Sequence, residues 1–173
     1  MYLTSGNKNA TRECRCGRAN EAGFACKRAP NDKCMAQYQA RISGPLLDRF
    51  DLSIEVGAVT AADLVLPPPT EGSREIGMRV ARARAIQAAR YESLGLPYRT
   101  NAATTAPVIE EVARPDEAGT KLLRDASEKY RLTARGFHRV MKVARTLADL
   151  DGAEKVGRIH LAEALSYRAM VPG

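Results

Sequence analysis

Arg41-Ile-Ser-Gly-Pro-Leu-Leu-Asp-Arg-Phe-Asp-Leu-Ser-Ile-Glu-Val56 decides how the rest of the chain is read. Ser43-Gly-Pro45 stops whatever precedes it. Leu46-Leu-Asp-Arg-Phe50 reads as a tight apolar turn carrying one cation, Arg49. In Asp51 to Val56, the residues Leu52, Ile54 and Val56 alternate with polar ones. That spacing predicts a half-buried strand over 51–56. An arginine at the mouth of a strand is well placed to reach a phosphate, because its planar fork matches phosphate oxygens.

No other segment reads as a strand with comparable clarity. One strand cannot satisfy its own backbone ladder, so its partners are expected from a larger sheet or from another polypeptide. Left alone, such a strand would expose both edges. Upstream, Met35 to Ile42 is a candidate short helix. Before it the cysteines fall as Cys14-x-Cys16, Cys26 and Cys34, in a loop punctuated by Gly17, Gly23 and Pro30. Four thiolates suffice for a closed tetrahedral zinc site. A C-x-C pair bites one ion less comfortably than C-x2-C, so zinc ligation and free loop thiols both stay open. Residues 1–13 are polar and aperiodic, and are expected to form a poorly ordered tail.

Downstream, Ala58 to Leu64 can add a helical turn. Leu66-Pro-Pro-Pro-Thr-Glu-Gly72 is a stiff connector that marks a boundary. The remaining residues, 73–173, read as a bundle of about four helices. Ser73 is the expected cap of a helix to about Tyr91, with Ile76, Val80, Ala83 and Ile86 as its apolar stripe. Arg74, Arg79, Arg82, Arg84 and Arg90 cover its other faces, either as a solvated surface or as a nucleic-acid contact. Thr105 is the expected cap of a helix over 106–113, and Pro115 the expected start of another to about Tyr130. Thr133 caps the longest helix, closed by Gly152 near Leu150. Its buried stripe is Phe137, Val140, Met141, Ala144, Leu147 and Ala148. Arg135 sits in its first turn, where the helix dipole disfavours a cation, and so points to an anionic neighbour. A last helix is expected from about Ile159 to Met170.

The charge balance agrees with an anionic partner: Lys and Arg number 27 against 20 Asp and Glu, for a formal charge of +7. No apolar run approaches the length of a membrane span, and the first residues lack the apolar core of a signal peptide. The expected location is the cytoplasm, without a membrane partner. His138 and His160 have no partners at ligand spacing.

Together these segments resemble a known family. Cys14-x-Cys16-Gly17, then Tyr38 through Val56, then Leu132-Thr-Ala-Arg-Gly-Phe-His-Arg-Val-Met-Lys-Val-Ala-Arg-Thr-Leu-Ala-Asp-Leu150 and His160-Leu-Ala-Glu-Ala-Leu-Ser-Tyr-Arg168 are similar to the magnesium-chelatase-like AAA+ ATPases of the bacterial ComM/YifB group. The resemblance implies a mainly α chain. Residues 14–66 would be the end of an AAA+ αβα core with a cysteine insert, and 73–173 the all-helical lid. It implies that Arg49 is an arginine finger, reaching the γ-phosphate of ATP held by a neighbouring subunit. It implies that Arg135 is the lid's phosphate sensor. Cys14, Cys16, Cys26 and Cys34 become the implied zinc ligands.

The departures matter as much. The chain contains no G-x-x-x-x-G-K-[ST] phosphate loop and no apolar run ending in Asp-Glu to hold magnesium. Arg12 and Glu13 stand where the family has an Asn-Pro sensor, and residues 1–11 are expected to lie outside the resemblance. A truncated or split ATPase gene would explain this. The expected function is then a C-terminal module serving ATP hydrolysis only with complementary AAA+ subunits, or with the N-terminal half of the same ATPase. Magnesium would enter only through that half, and DNA is the implied partner of the intact machine. The alternative is a small basic nucleic-acid-binding module, or a non-functional remnant.

Overall fold

The computed structural model describes residues 2–5, 49–55, 61, 63–67 and 70–168. The chain divides into two compact units, residues 1–68 with 170–173, and residues 69–169. The cysteine segment and the candidate helix over 35–42 lie outside the described residues.

In the first unit, strand β1 (Tyr2–Ser5) pairs with strand β2 (Leu52–Glu55). The pairing is parallel, with Tyr2 opposite Leu52 and Ser5 opposite Glu55. The strand expected at 51–56 is therefore present, and one of its edges is covered by residues expected to form a structureless tail. Tyr2-Leu-Thr-Ser5 has the aromatic and β-branched character that suits a strand. Four residues are too few to display a period, so only a partner reveals them.

The facing of β2 departs from expectation. Ser53 is buried, while Ile54 is 39% exposed. Alternation assigns side chains to two faces, but burial of the apolar face needs a covering layer. Among the described residues of this unit, the sheet has two strands and no helix stacked on it. A short 3-10 turn at Asp63–Val65 follows.

Among its described residues the second unit holds five α-helices, where about four were expected. They are α1 (Ser73–Ser93), α2 (Ala106–Val112), α3 (Glu117–Lys129), α4 (Ala134–Leu150) and α5 (Arg158–Ser166). Helix α4 is the hub, packing against α1, α2 and α5, while α3 packs on α5. The core joins Ile109, Leu123, Ala126, Val140, Met141, Ala144, Ala148, Val156, Leu161, Ala164 and Leu165. Phe137 and Leu147, expected inside, line its edge half-buried. Burying each larger side chain stabilises the unit by about 1.5–3 kcal/mol.

The caps follow side-chain chemistry. Thr133 Oγ1 accepts from Gly136 N–H at 3.0 Å, as expected. Gly152 closes α4 at φ +70°, a conformation that costs glycine little. Three expectations shift. Gly72, not Ser73, caps α1, and its N–H donates to Glu75 Oε2 at 3.0 Å. Thr105 precedes α2 without a side-chain bond. Helix α3 starts at Glu117, just past the expected start at Pro115, and Asp116 caps it by accepting from Gly119 N–H at 2.6 Å. Pro115 instead pairs with Val156, where Asp116 N–H donates to Val156 carbonyl at 3.3 Å.

Candidate functional site

The two arginines singled out by sequence lie in separate units. Arg49 is exposed in a turn directly before β2. Phe50 behind it is buried at 5% exposure and fixes that turn. Arg135 is exposed in the first turn of α4. Among the described residues neither Arg49 nor Arg135 has a hydrogen-bond or ion-pair partner. At Arg135 the field of the aligned N–H groups works against the cation.

Helix α4 begins at a glycine for a spatial reason. A Cβ on Gly136 would lie 2.9 Å from Arg168 Nη2 and 3.2 Å from its Nε. The bare backbone thus lets the Arg168 guanidinium settle against the same turn that carries Arg135. In the sequence Arg168 stands out only as the end of the segment His160 to Arg168. The signal that could have placed it was the glycine inside a first helical turn, where alanine would serve helicity better.

The other end of α4 uses charge differently. Asp149 is fully buried, and Arg145, one turn earlier, is 1% exposed. Arg145 Nε donates to Asp149 Oδ1 at 3.1 Å. Its remaining donors reach the carbonyls of Ala153 and Glu154 at 2.6 and 2.8 Å. Arg90 of α1 donates to both oxygens of Asp149. Asn101 Nδ2 donates to Asp149 Oδ2 at 2.9 Å, and the Tyr91 hydroxyl donates to Asn101 Oδ1 at 2.6 Å. Lys142 Nζ ties in the same connection by donating to the carbonyls of Ala102 and Thr104 at 3.0 and 2.6 Å.

One buried carboxylate, Asp149, answers two guanidinium groups, and the remaining donors of Arg145 end on carbonyl oxygens, as burial requires. Burial works against the Arg90 cation, but the hydrogen bond and charge of Asp149 hold its pKa above the ordinary guanidinium value. Burial pushes Arg145 below its ordinary value, against the pull of Asp149. Burial also raises the Tyr91 phenol, against the opposing influence of Arg90.

Arg90, expected on the solvated or nucleic-acid-binding face of α1, belongs instead to this network. Arg79 pairs with Glu71 at 2.5 Å, and Arg84 donates to Gln87 at 3.1 Å. The sequence did carry a signal for the network. Arg145 and Asp149 are four residues apart, and Arg145 falls among Met141, Ala144 and Ala148 on the buried stripe. A pair of opposite charges on an apolar face marks a buried bridge rather than a surface one.

The histidines take structural places. His138 Nε2 lies 2.6 Å from Glu110. Buried His160 accepts from Gly157 N–H at Nδ1, 3.0 Å away, which leaves Nε2 facing Asp151 at 3.1 Å. Among the described residues no group of three or more His, Cys, Asp or Glu side chains could hold a metal ion. No helix among them is long and apolar enough to cross a membrane.

Comparison with known proteins gives two family matches. Residues 70–168 match the family model of magnesium chelatase, subunit ChlI C-terminal. Residues 8–64 match the model of magnesium chelatase, subunit ChlI. The second match begins at residue 8 and so corrects the expectation that residues 1–11 lie wholly outside the family. Among curated relatives, the competence protein ComM of Haemophilus influenzae is 39% identical over 136 residues, 78% of this chain and 26% of that protein. YifB of Escherichia coli is 36% identical over 143 residues, again 78% of this chain and 26% of that protein. An uncharacterized Mycobacterium tuberculosis protein is 35% identical over 164 residues, 92% of this chain and 30% of that protein. The chain thus spans 26–30% of the length of these relatives. With residues 8–64 and 70–168 matched, the chain is a member of the magnesium chelatase ChlI family, of the ComM- and YifB-like kind.

Proposed function

We propose that this chain supplies the arginine side of a shared ATP site in an AAA+ assembly. Arg49 serves as an arginine finger on the γ-phosphate of ATP held by a neighbouring subunit. Arg135 serves as the lid's phosphate sensor. Both would stabilise charge developing on the transferred phosphoryl group. The β- and γ-phosphates and the magnesium ion would be held by a complementary subunit carrying a phosphate loop, because this chain contains no such motif.

One observation carries the reading. Arg135 stands exposed and unengaged among the described residues, in a turn whose dipole opposes it, while Arg90 and Arg145 of the same unit are locked onto Asp149. Family membership supports the same roles, and DNA follows from the family resemblance as the partner of the complete machine. Zinc on Cys14, Cys16, Cys26 and Cys34 belongs to the same proposal. Metal analysis of the purified chain tests it, with one zinc per chain expected and its loss expected on Cys16→Ser.

The direct test mixes the chain with a phosphate-loop subunit of this family and measures ATP hydrolysis. The wild-type chain is expected to stimulate hydrolysis. Arg49→Ala is expected to abolish the stimulation, since such arginines contribute about 10³–10⁵ in rate. Stimulation that survives Arg49→Ala would remove the finger from the account.

The alternative, a basic nucleic-acid-binding module, rests on the exposed arginines Arg74 and Arg82 of α1. Its support is narrower than the sequence implied, because Arg79, Arg84 and Arg90 are engaged within the chain.

A further inference from the structure

Gly136 directly follows Arg135 in the first turn of α4, and it is buried. A glycine there gives the backbone beside Arg135 more freedom than any other residue would. The side-chain space it leaves is nonetheless filled. A Cβ on Gly136 would lie 2.9 Å from Arg168 Nη2, 3.2 Å from its Nε and 3.3 Å from its Cζ. Three atoms of the guanidinium lie at nearly the same distance, so the planar group lies along the turn and does not touch it with one tip.

Topology delivers Arg168 to this place. The chain reverses after Gly152, and α5 packs on α4. Leu161, Ala164 and Leu165 seat α5 in the core. Arg168 N–H donates to the Leu165 carbonyl at 3.0 Å, so Arg168 continues the last turn of that helix. Its guanidinium is therefore carried by a fixed element and closes over the start of the helix that bears Arg135.

Gly119 shows what an ordinary packing glycine looks like. A Cβ there would lie 2.9 Å from Leu161 Cδ1 and from Asp116 Oδ1, a core side chain and a helix cap. The near neighbours of Gly136 all belong to the far end of one flexible side chain. Alanine at 136 could be admitted by swinging that end away, and it would serve helicity better. Core packing alone thus does not account for a glycine at 136. Keeping the Arg168 fork against the turn does.

We infer that Arg168 is a positioning residue for Arg135. Its guanidinium occupies the space that Gly136 leaves open and holds the first turn of α4, so that Arg135 meets a phosphate in fixed geometry. A cation held in place stabilises developing charge without reorganising, and a misplacement of about 1 Å can cost on the order of 10²-fold in rate. The inference rests on the proposed sensor role of Arg135 and says how that residue is held. Arg168 acts through the shape of its planar group, which the compact ammonium of lysine does not reproduce.

The chain is mixed with a phosphate-loop subunit of this family, and hydrolysis is measured over a range of ATP concentrations. Arg168→Ala is expected to lower kcat about tenfold and to change KM for ATP by less than about twofold, the split left by weakening a contact made in the transition state. Arg168→Lys is expected to lose about as much. Adding Gly136→Ala to Arg168→Ala is expected to bring kcat back to within about threefold of wild type, because a side chain again restricts the turn. In an Arg135→Ala background, Arg168→Ala is expected to cost nothing further, as for residues that act through one another. The isolated chain gives a reading that needs no partner. The amides of Gly136 and Phe137 both donate to Thr133. Their hydrogen exchange is expected to speed up about tenfold on Arg168→Ala and on Arg168→Lys.

The inference is overturned by wild-type hydrolysis with Arg168→Ala, by full activity with Arg168→Lys, by failure of Gly136→Ala to restore the rate, by a further loss in the Arg135→Ala background, or by unchanged exchange at Gly136 and Phe137. Each of these leaves the sensor role standing so long as Arg135→Ala itself loses activity. Wild-type hydrolysis with Arg135→Ala removes the sensor role and this inference with it.

Discussion

The two ends of helix α4 handle arginine in opposite ways. Near its C-terminal end, Arg145 is 1% exposed and spends its donors on Asp149 and two backbone carbonyls. In its first turn, Arg135 is exposed. The buried arginine is explained by what it holds in place: it fastens α4 to the loop after it, and through Asp149 to Arg90 and Asn101. The exposed arginine fastens nothing among the described residues, and it sits where the helix dipole costs it stability. The lesson is that a basic composition does not describe one surface. Part of the excess positive charge is internal scaffolding, and the part left over is what an anionic partner can meet.

Breaking the buried end should have the largest effect. Asp149→Ala leaves Arg145 and half-buried Arg90 without their counter-charge, and such losses cost about 3–5 kcal/mol. The thermal midpoint of the helical unit should fall on the order of 15 °C, read by circular dichroism. Next comes the packing of α3 on α5. Gly119→Ala places a methyl against Leu161 and Asp116, and should cost about 1–3 kcal/mol by urea denaturation.

The cap that starts α4 is smaller still. Thr133→Ala removes the bond to Gly136 N–H and should cost about 1 kcal/mol. Alkaline pH probes the network from another side. Because burial raises the Tyr91 phenol, the folded state holds that proton more tightly than the unfolded state does. The resulting stability is complete below the unfolded value of about 10 and is lost as pH rises through the folded value. Tyr91→Phe should flatten that alkaline loss in a pH series of denaturation curves. At the small end, Arg135→Ala should change stability by no more than about 0.5 kcal/mol, since it removes an exposed group with no partner among the described residues.

The sequence announced the helices clearly, because α4 and α3 repeat their apolar residues over several turns. Val140, Met141, Ala144 and Ala148 were legible as core for that reason. The strand at Leu52–Glu55 was legible too, but its partner was not. Tyr2–Ser5 is too short to show a period, and parallel pairing leaves no turn signal between partners so far apart. Facing failed at Ile54 because alternation does not say whether a covering layer exists.

Of the candidate site, Arg49 and Arg135 were found from their positions in a turn and at a helix start. The Asp149 network was not, since charges on a helix are usually solvated and only three-dimensional packing brings Arg90 of α1 onto Asp149 of α4. Arg168 against Gly136 was hidden for the same reason: the two are 32 residues apart in the sequence.

The central claim is that Arg135 is kept for a phosphate and not for the fold. It is tested most directly by ATP hydrolysis in an assembly of this chain with a phosphate-loop subunit of the family, comparing wild type with Arg135→Ala. The account predicts that hydrolysis falls about 10²-fold with Arg135→Ala, the scale of losing one preorganised contact to developing charge. Hydrolysis by the variant at the wild-type rate would contradict it.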